Sequence, residues 1–366
     1  MLIKIDKSNN NPLFNAYRND NFNEFKKLIE EGVNVNAINT VNGAETLINS
    51  IICNERNFDN EKNKLFFNKI MESDVHLGRI AENYPAIWVA LIVQNDAYYM
   101  EKILESSINI DYSQERIDDC EHYNNHVHSP LIYHAIMHGD MRKIKLILKH
   151  KPDMNALDKF GNTLISSLFG HKDIKNLNEI STLLIESGAD VNQTDYNKET
   201  VAHSNKFLRL FGCKDVEFII KNNLDLNSKN ARGETPIMKA LEYQYIDTVL
   251  FLIHEKVDLN LQNNQGETAA MISIEKCMQS FDSICKADVD LSIRDNSGNN
   301  VFHYIARKPF YKNKFSDEQI EIFKKNPKLL LIKNNDNNSV LDIISKTSKK
   351  QHKEIKKYIE NSQNNI

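Results

Sequence analysis

The chain has 366 residues, of which 41% are hydrophobic and 26% are charged, so it is apolar enough to fold and is neither disordered nor collagen-like. Its 46 lysines and arginines nearly balance its 50 aspartates and glutamates, which leaves no basic face for duplex nucleic acid or an anionic membrane. The length alone predicts two or three globular domains, but internal repeats change that expectation.

Apolar segments and cysteines narrow the class of protein further. The longest apolar run covers residues 86–93, far short of the roughly 18–20 residues that cross a bilayer. The first six residues lack an apolar signal core, so we expect neither a transmembrane segment nor Sec-dependent export. The five cysteines are irregularly spaced and form no Cys-x-x-Cys pair, which indicates reduced thiols in a cytosol.

A four-residue motif recurs along the chain: an apolar or small residue, an Asn or Asp, an apolar residue and a second Asn or Asp. Clear copies end at Asn36, Asp111, Asn192, Asn227 and Asn260, and weaker copies end at His76, Asn155 and Ser292. Their spacing indicates a repeat of about 33 residues with insertions, which is typical of a solenoid whose units pack only on their neighbours.

The residues that follow each motif repeat as well. An Asp or Asn recurs at Asp158, Asp195, Asn230, Asn263 and Asp295, a glycine recurs at Gly161, Gly233, Gly266 and Gly298, and a threonine or asparagine recurs at Thr163, Thr200, Thr235, Thr268 and Asn300. Asx side chains accept main-chain N–H groups within a turn, and glycine adopts the positive φ that a tight turn requires. Each segment is therefore predicted to be a tight hairpin-like turn, in which Lys198 and Asn337 replace the glycine.

Two helices are predicted after each turn. The segment from Thr235 to Leu241 begins with a threonine N-cap and a proline at the first helical position, which together signal a helix start. A second apolar segment follows within each unit, such as residues 144–148 and 249–253. Because one helix pair cannot offset its own conformational entropy, the units must stack to be stable.

Together, the motif, the turn and the helix pair resemble the ankyrin-repeat family. The matching segments are residues 186–192 (Glu-Ser-Gly-Ala-Asp-Val-Asn), 233–236 (Gly-Glu-Thr-Pro) and 30–36. This resemblance implies an all-α solenoid, elongated and curved, of helix-turn-helix units joined by β-turn hairpins. The implied single domain, 1–366, has approximate units 10–37, 38–79, 80–111, 112–156, 157–193, 194–228, 229–261, 262–292 and 293–333, and a C-terminal cap at 334–361.

By the same resemblance, the hairpin tips and first helices line a concave groove that binds a partner protein. The tip residues expected to bind it are Lys159, Phe160, Tyr196, Asn197, Arg232 and Gln265. Phe160, Tyr196 and Arg232 come from three consecutive units and are expected to project near one another, and aromatic and arginine side chains are enriched at binding hot spots. In the alternative, the two aromatic rings fold back onto neighbouring turns.

A second class of function rests on residues 118–138, which are rich in cysteine and histidine. Candidate metal ligands are Cys120, His122, His126 and His128, followed by His134 and His138 one helical turn apart. Their spacing matches no familiar zinc motif, so a polar, elongated hairpin loop is the alternative. Catalysis by a cysteine with a histidine base lacks a supporting local signature.

We therefore predict a non-enzymatic, monomeric protein-binding module without cofactor or metal, and expect neither nucleic acid nor membrane insertion. Frequent Asn, Ile and Lys suggests an AT-rich coding genome. Ankyrin proteins of AT-rich intracellular bacteria and large DNA viruses often engage host proteins. The resemblance thus favours a secreted effector in a host cytosol, or otherwise a cytoplasmic protein, and an immunity protein or scaffold is the alternative.

Overall fold

A computed structural model of the protein describes residues 11–36, 38–39, 45–53, 60–73, 75, 77, 97–106, 131–158, 161–169, 176–209, 220–287, 289–307, 317–347, 352–353, 355–357 and 360. The chain divides into two compact units, Met1–Ala189 and Asp190–Ile366. Both units consist of short helices joined by turns, which confirms the predicted all-α fold. The boundaries of the individual repeats stay a prediction.

Most described helices of the first unit form pairs. The described helices are α1 (Pro12–Arg18), α2 (Phe22–Glu30), α3 (Leu47–Cys53), α4 (Asn60–Met71), α5 (Tyr98–Glu105), α6 (Leu131–His138), α7 (Met141–Lys149), α8 (Leu164–Leu168) and α9 (Leu177–Glu186). An antiparallel pair of two-residue strands, β1 (Ile38–Asn39) and β2 (Glu45–Thr46), precedes α3, with Ile38 opposite Thr46. α1 packs against α2, α3 against α4, and α6 against α7, as expected for helix-turn-helix units.

In the second unit, the first helix of each pair also contacts the next pair. The helices are α10 (Asn205–Arg209), α11 (Pro236–Glu242), α12 (Ile246–His254), α13 (Ala269–Lys276), α14 (Phe281–Cys285), α15 (Val301–Arg307), α16 (Asp317–Lys325) and α17 (Val340–Thr347), with 3-10 turns at Val201–His203, Met278–Ser280 and Pro327–Leu331. α11 packs against α12 and α13, α13 against α15, and α15 against α17. Consecutive pairs are thus joined through their first helices.

The apolar core of the second unit follows these first helices. Leu241 of α11, Ala270 of α13 and Phe302 of α15 are all buried. A pair by itself would leave this face in water, so burial between pairs stabilises the array. Each large aliphatic or aromatic side chain buried in this way contributes about 1.5–3 kcal/mol.

Asx side chains cap the turns of the second unit, as the sequence predicts. Oδ1 of Asp195 accepts the main-chain N–H groups of Asn197 (2.7 Å) and Glu199 (2.8 Å). The equivalent pair of N–H groups is accepted in the next three turns by Oδ1 of Asn230, Asn263 and Asp295. Each of these turns therefore holds its shape through its own side chain.

One residue in each turn adopts the left-handed backbone conformation. The predicted glycines, Gly161, Gly233, Gly266 and Gly298, have φ values between 73° and 81°. Lys198 and Asn337 adopt the same conformation at φ values of 57° and 62°, so the missing glycines leave the turn conformation unchanged. Gly266 is required for a second reason, because a Cβ there would lie 2.6 Å from the main-chain nitrogen of Asn296.

The second asparagine of the sequence motif links consecutive repeats. Oδ1 of Asn192 accepts the N–H of Asp225 (2.7 Å), and its Nδ2 donates to the carbonyl of Asn223 (2.9 Å). Oδ1 of Asn227 and Oδ1 of Asn260 accept the equivalent N–H of the following repeat at 2.8 and 2.7 Å. Frequent asparagine in the sequence is thus explained in part by hydrogen bonds between repeats.

The hydrogen bonds of the threonines at the helix starts differ between repeats. Nδ1 of His203 accepts the N–H of Thr200 (3.2 Å), and its Nε2 lies 3.0 Å from the carbonyl oxygen of Glu234. Thr235 is an N-cap by backbone conformation, as predicted, but its buried hydroxyl finds no hydrogen-bond partner among the described residues. Met238 holds the position of His203 in this repeat, and a thioether cannot replace the imidazole at the helix start.

Replacement of Gly266 by alanine should lower the free energy of unfolding by roughly 2–4 kcal/mol. The new Cβ combines a left-handed penalty of about 1–2 kcal/mol with a collision against the next turn. Gly32 is the matched control, because its φ is 81° but a Cβ there would meet nothing within 4 Å. Urea unfolding of Gly266→Ala and Gly32→Ala should show the larger loss for Gly266, and equal losses would contradict the close approach of the two turns.

Acidification should destabilise the fold through His203. Burial lowers the pKa of its imidazole, although nearby carbonyls and Glu199 oppose this shift. The unfolded chain takes up a proton near pH 6.5 whereas the folded chain does not, so the free energy of unfolding should fall as the pH drops below about 6.5. In His203→Met, which copies Met238, this pH dependence should be weaker; an unchanged dependence would exclude His203 as its source.

Candidate functional site

Successive hairpin tips in the second unit are joined by main-chain hydrogen bonds, which we call the tip ladder. In each bond the first tip residue of one repeat donates its N–H to the carbonyl of the second tip residue of the preceding repeat. The four bonds run from Ala231 to Asn197 (2.8 Å), Asn264 to Arg232 (3.0 Å), Asn296 to Gln265 (3.0 Å) and Asn335 to Ser297 (2.9 Å). The tips therefore form one continuous edge of the second unit.

Asparagine side chains reinforce the tip ladder. Nδ2 of Asn264 donates to the carbonyl of Ala231 (3.0 Å), Nδ2 of Asn296 to that of Asn264 (2.8 Å), and Nδ2 of Asn335 to that of Asn296 (3.1 Å). In these repeats both tip carbonyls are occupied by the next tip. A protein that approaches this edge consequently meets side chains rather than free carbonyl groups.

Four of the six predicted tip residues are exposed on this edge. Tyr196, Asn197, Arg232 and Gln265 are all exposed, and 72% of the surface of Tyr196 is accessible. The guanidinium of Arg232 lies 3.1 Å from the carboxylate of Glu234, so the two groups form an ion pair at the surface. The other two predicted residues, Lys159 and Phe160, lie outside the described residues. The expected approach of Phe160 to Tyr196 therefore stays a prediction.

Below the tips, the capping Asx side chain and the residue four positions later form complementary pairs. An asparagine amide donates to a glutamate in the pairs Asn230–Glu234 and Asn263–Glu267, and an asparagine donates to the capping aspartate in Asp158–Asn162 and Asp295–Asn299, all at 2.9 Å. Asp195 and Glu199 break this pattern because both are carboxylates. Glu199 instead accepts a hydrogen bond from Nδ2 of Asn230 in the next repeat (3.1 Å).

Asn230 thus holds two glutamates of consecutive repeats together. Its Nδ2 donates to Oε1 of Glu199 and Oε2 of Glu234, so these oxygens cannot be farther apart than the two bond lengths combined, about 6 Å. Two cations compensate the charges: Arg232 beside Glu234, and Lys239, whose ammonium lies 3.7 Å from Glu199. Inspection of single repeats misses this cluster, because it depends on which residues face each other between repeats.

Lys239 is the buried member of the cluster. Its ammonium also lies 3.5 Å from Glu242 and 5.0 Å from the centre of the Tyr243 ring. Burial lowers the pKa of this amine, but Tyr243 and the carboxylate of Glu199 raise it more, so the pKa lies above its ordinary value. Lys239 therefore stays protonated and balances the carboxylates around it.

The metal and cysteine alternatives find no support in the described part of the chain. No group of three or more His, Cys, Asp or Glu side chains there could hold a metal ion. The candidate ligands Cys120, His122, His126 and His128 lie outside the described residues, as do the side chains of His134 and His138 on α6. Cys277 is buried, and burial followed by the charge of Asp282 raises the pKa of Cys285 to about 12, which opposes thiolate chemistry.

Comparison with known families identifies the repeats. Residues 208–295 match the family model described as ankyrin repeats, in three copies. Residues 208–295 of this chain are ankyrin repeats. The ankyrin repeats explain the turns and helix pairs of the fold, and they are modules of protein–protein interaction.

Two known proteins are similar to this chain. A putative ankyrin repeat protein, L371, of Acanthamoeba polyphaga mimivirus is 22% identical over 286 residues, which cover 69% of this chain and 34% of the viral protein. The chain thus spans about a third of the length of that relative. Among solved structures, the ankyrin repeat domain of Bcl-3, a member of the IkappaB protein family, is 14% identical over 62% of this chain and 97% of that domain, with a TM-score of 0.49.

A helix that crosses a bilayer needs about 20 consecutive, mostly apolar residues. Within the described residues, no helix is both long and apolar enough to span a bilayer. The helix α12, although rich in aliphatic residues, covers only Ile246–His254.

Asn230→Asp should destabilise the fold, because the new carboxylate repels the two glutamates that Asn230 holds together. Aspartate caps the same turn position at Asp195, so the turn survives, but a third carboxylate would face Glu199 and Glu234. At pH 7 the free energy of unfolding of the variant should be about 2 kcal/mol lower than that of the unmodified chain. This difference should shrink toward pH 4, because crowded carboxylates have raised pKa values in the folded state.

The matched control is Asn263→Asp. Nδ2 of Asn263 donates to one glutamate, Glu267, rather than to two. At pH 7 the free energy of unfolding of Asn263→Asp should fall by about half as much as that of Asn230→Asp. Urea unfolding as a function of pH measures both changes. A loss in Asn230→Asp that does not depend on pH would contradict the proposed repulsion.

Proposed function

We propose that this chain binds a partner protein through the hairpin tips of the second unit, without catalysis. The observation that carries the proposal is the ring of Tyr196, which is 72% exposed at the tip of a capped turn. Tyrosine and arginine supply much of the binding energy in protein interfaces, and Arg232 occupies the next tip. Tyr196 and Arg232 are the proposed anchors of the contact.

Rigid presentation of these anchors supports the proposal. The two N–H groups capped by Asp195 and the bond from Ala231 to Asn197 fix the turn that carries Tyr196. The ion pair with Glu234 similarly restrains Arg232. Because less conformational freedom is lost on association, a restrained side chain binds more tightly than the same side chain on a mobile loop.

The polar tip residues complete the proposed surface. Asn197 and Gln265 are exposed beside the anchors and offer amide groups to a partner. Lys159 and Phe160 stay predicted contact residues on the basis of the repeat pattern alone. The role of a host-directed effector, with an immunity protein or scaffold as the alternative, likewise stays a prediction from composition and family resemblance.

Affinity capture with tip variants tests this function. The double variant Tyr196→Ala/Arg232→Ala should lose specific partners that the unmodified chain recovers from a candidate host lysate, as identified by mass spectrometry. Truncation of the two anchor residues should weaken binding by roughly 30- to 1,000-fold, because each contributes about 1–2 kcal/mol. Thermal unfolding of the variant should change little, because both side chains are exposed and the ion pair of Arg232 with Glu234 contributes at most about 1 kcal/mol.

Leu65→Ala serves as the matched control for loss of exposed apolar surface, since Leu65 is 51% exposed on α4. This control should recover the same partners as the unmodified chain. Recovery of an identical set of proteins by the tip variant would move the binding surface away from Tyr196 and Arg232.

A further inference from the structure

The outer surface of α12 carries a row of aliphatic side chains. Leu250 is 43% exposed, while Ile246, four positions earlier, and Ile253, three positions later, are half-buried. Residues at these spacings lie on one side of a helix. α12 therefore presents an aliphatic row whose central member reaches solvent.

Most other repeats place a polar residue where α12 has leucine, and Phe66, in the repeat that ends at His76, is an exception. Leu250 lies ten residues before Asn260, the end of its sequence motif. At the same distance before the ends of their motifs stand Lys26, Lys145, Thr182 and Asp282. Packing of a repeat therefore does not require leucine at this position. A single exposed leucine is ordinary on a protein surface, but a second feature lies next to this one.

That second feature is a partly open cavity of about 510 Å3, one helical turn beyond Leu250. Ile253, Val257, Leu259 and Ala287 form its apolar walls, between the end of α12 and the loop after α14. This volume lies within the range of roughly 300–1,000 Å3 that is typical of ligand pockets. The aliphatic row of α12 leads into this cavity through Ile253.

Two charged residues, Lys256 and Asp258, stand beside these apolar walls. Oδ1 of Asp258 accepts the N–H of Asn260 (2.9 Å), so this carboxylate is engaged in its own turn. The ammonium of Lys256 forms neither a hydrogen bond nor an ion pair with any residue that the structure describes. Asp258 keeps its negative charge, but the ammonium of Lys256 offers donors that no described residue takes up, and these donors complement a carboxylate.

We propose that Leu250, Ile253, Val257, Leu259 and Lys256 form an outer groove that binds an amphipathic helix of a partner protein. One large apolar side chain of that helix enters the cavity, a second covers Leu250, and an acidic residue pairs with Lys256. Apolar residues three or four positions apart on the partner helix match the one-turn spacing of Leu250 and Ile253. The outer groove involves none of the tip residues, so this inference is independent of the proposed function.

A library of helical peptides, randomised on one face and selected on the full chain, tests the outer groove. Enriched peptides should carry two large apolar residues three or four positions apart and an Asp or Glu within the next turn. Leu250→Lys should weaken their binding at least about tenfold in fluorescence anisotropy, while thermal unfolding stays unchanged. Lys256→Glu should invert the preference, so that a Lys replaces the acid in peptides selected on that variant.

Thr182→Lys is the matched control, because it adds a lysine at the same helix position in another repeat. It should leave peptide binding unchanged. Failure to enrich helical peptides, equal binding to Leu250→Lys, or an unchanged charge preference on Lys256→Glu would each overturn the outer groove as a docking site for an acidic amphipathic helix.

Discussion

The amide hydrogen bond between consecutive repeats is the interaction on which the second unit depends. Along one edge, the tip ladder joins each tip N–H to the preceding tip carbonyl, from Ala231 onward. A few residues before each tip, Asn192, Asn227 and Asn260 accept an N–H of the following repeat. The residues that donate these bonds are exposed, so each bond contributes only about 0.5–1.5 kcal/mol net, but the same bonds recur from one repeat to the next. Apolar stacking of the first helices supplies the driving force, and the amide bonds fix its register.

This constraint also determines what the exposed edge offers for binding. Each tip donates an N–H to a carbonyl of the preceding tip. Tyr196 and Arg232 therefore project from two turns whose main chains already form hydrogen bonds. Close contact between tips leaves no room for a side chain at Gly266, yet it tolerates Lys198, which has the same left-handed conformation. Recognition therefore rests on side chains, which vary between repeats while the scaffold stays the same.

Features that depend on a few neighbouring residues could be predicted from the sequence, and those that depend on contacts between repeats could not. The Asx caps and the N-cap position of Thr235 follow from local residue types. The bond from Asn230 to Glu199 depends on stacking, and a search for complementary pairs four residues apart would have exposed the mismatch of Asp195 with Glu199. The apolar segment 249–253 predicts a helix, but its composition does not reveal that Leu250 faces solvent.

Native-state hydrogen exchange of the tip amides tests the central role of the tip ladder most directly. Ala231, Asn264, Asn296 and Asn335 are all exposed, so exposure alone would predict rapid exchange of their N–H groups. If the tip ladder holds the repeats together, these four amides should be protected and should exchange with similar opening free energies, because opening one tip releases its neighbour. Exchange at the rate of an unstructured peptide would contradict this account.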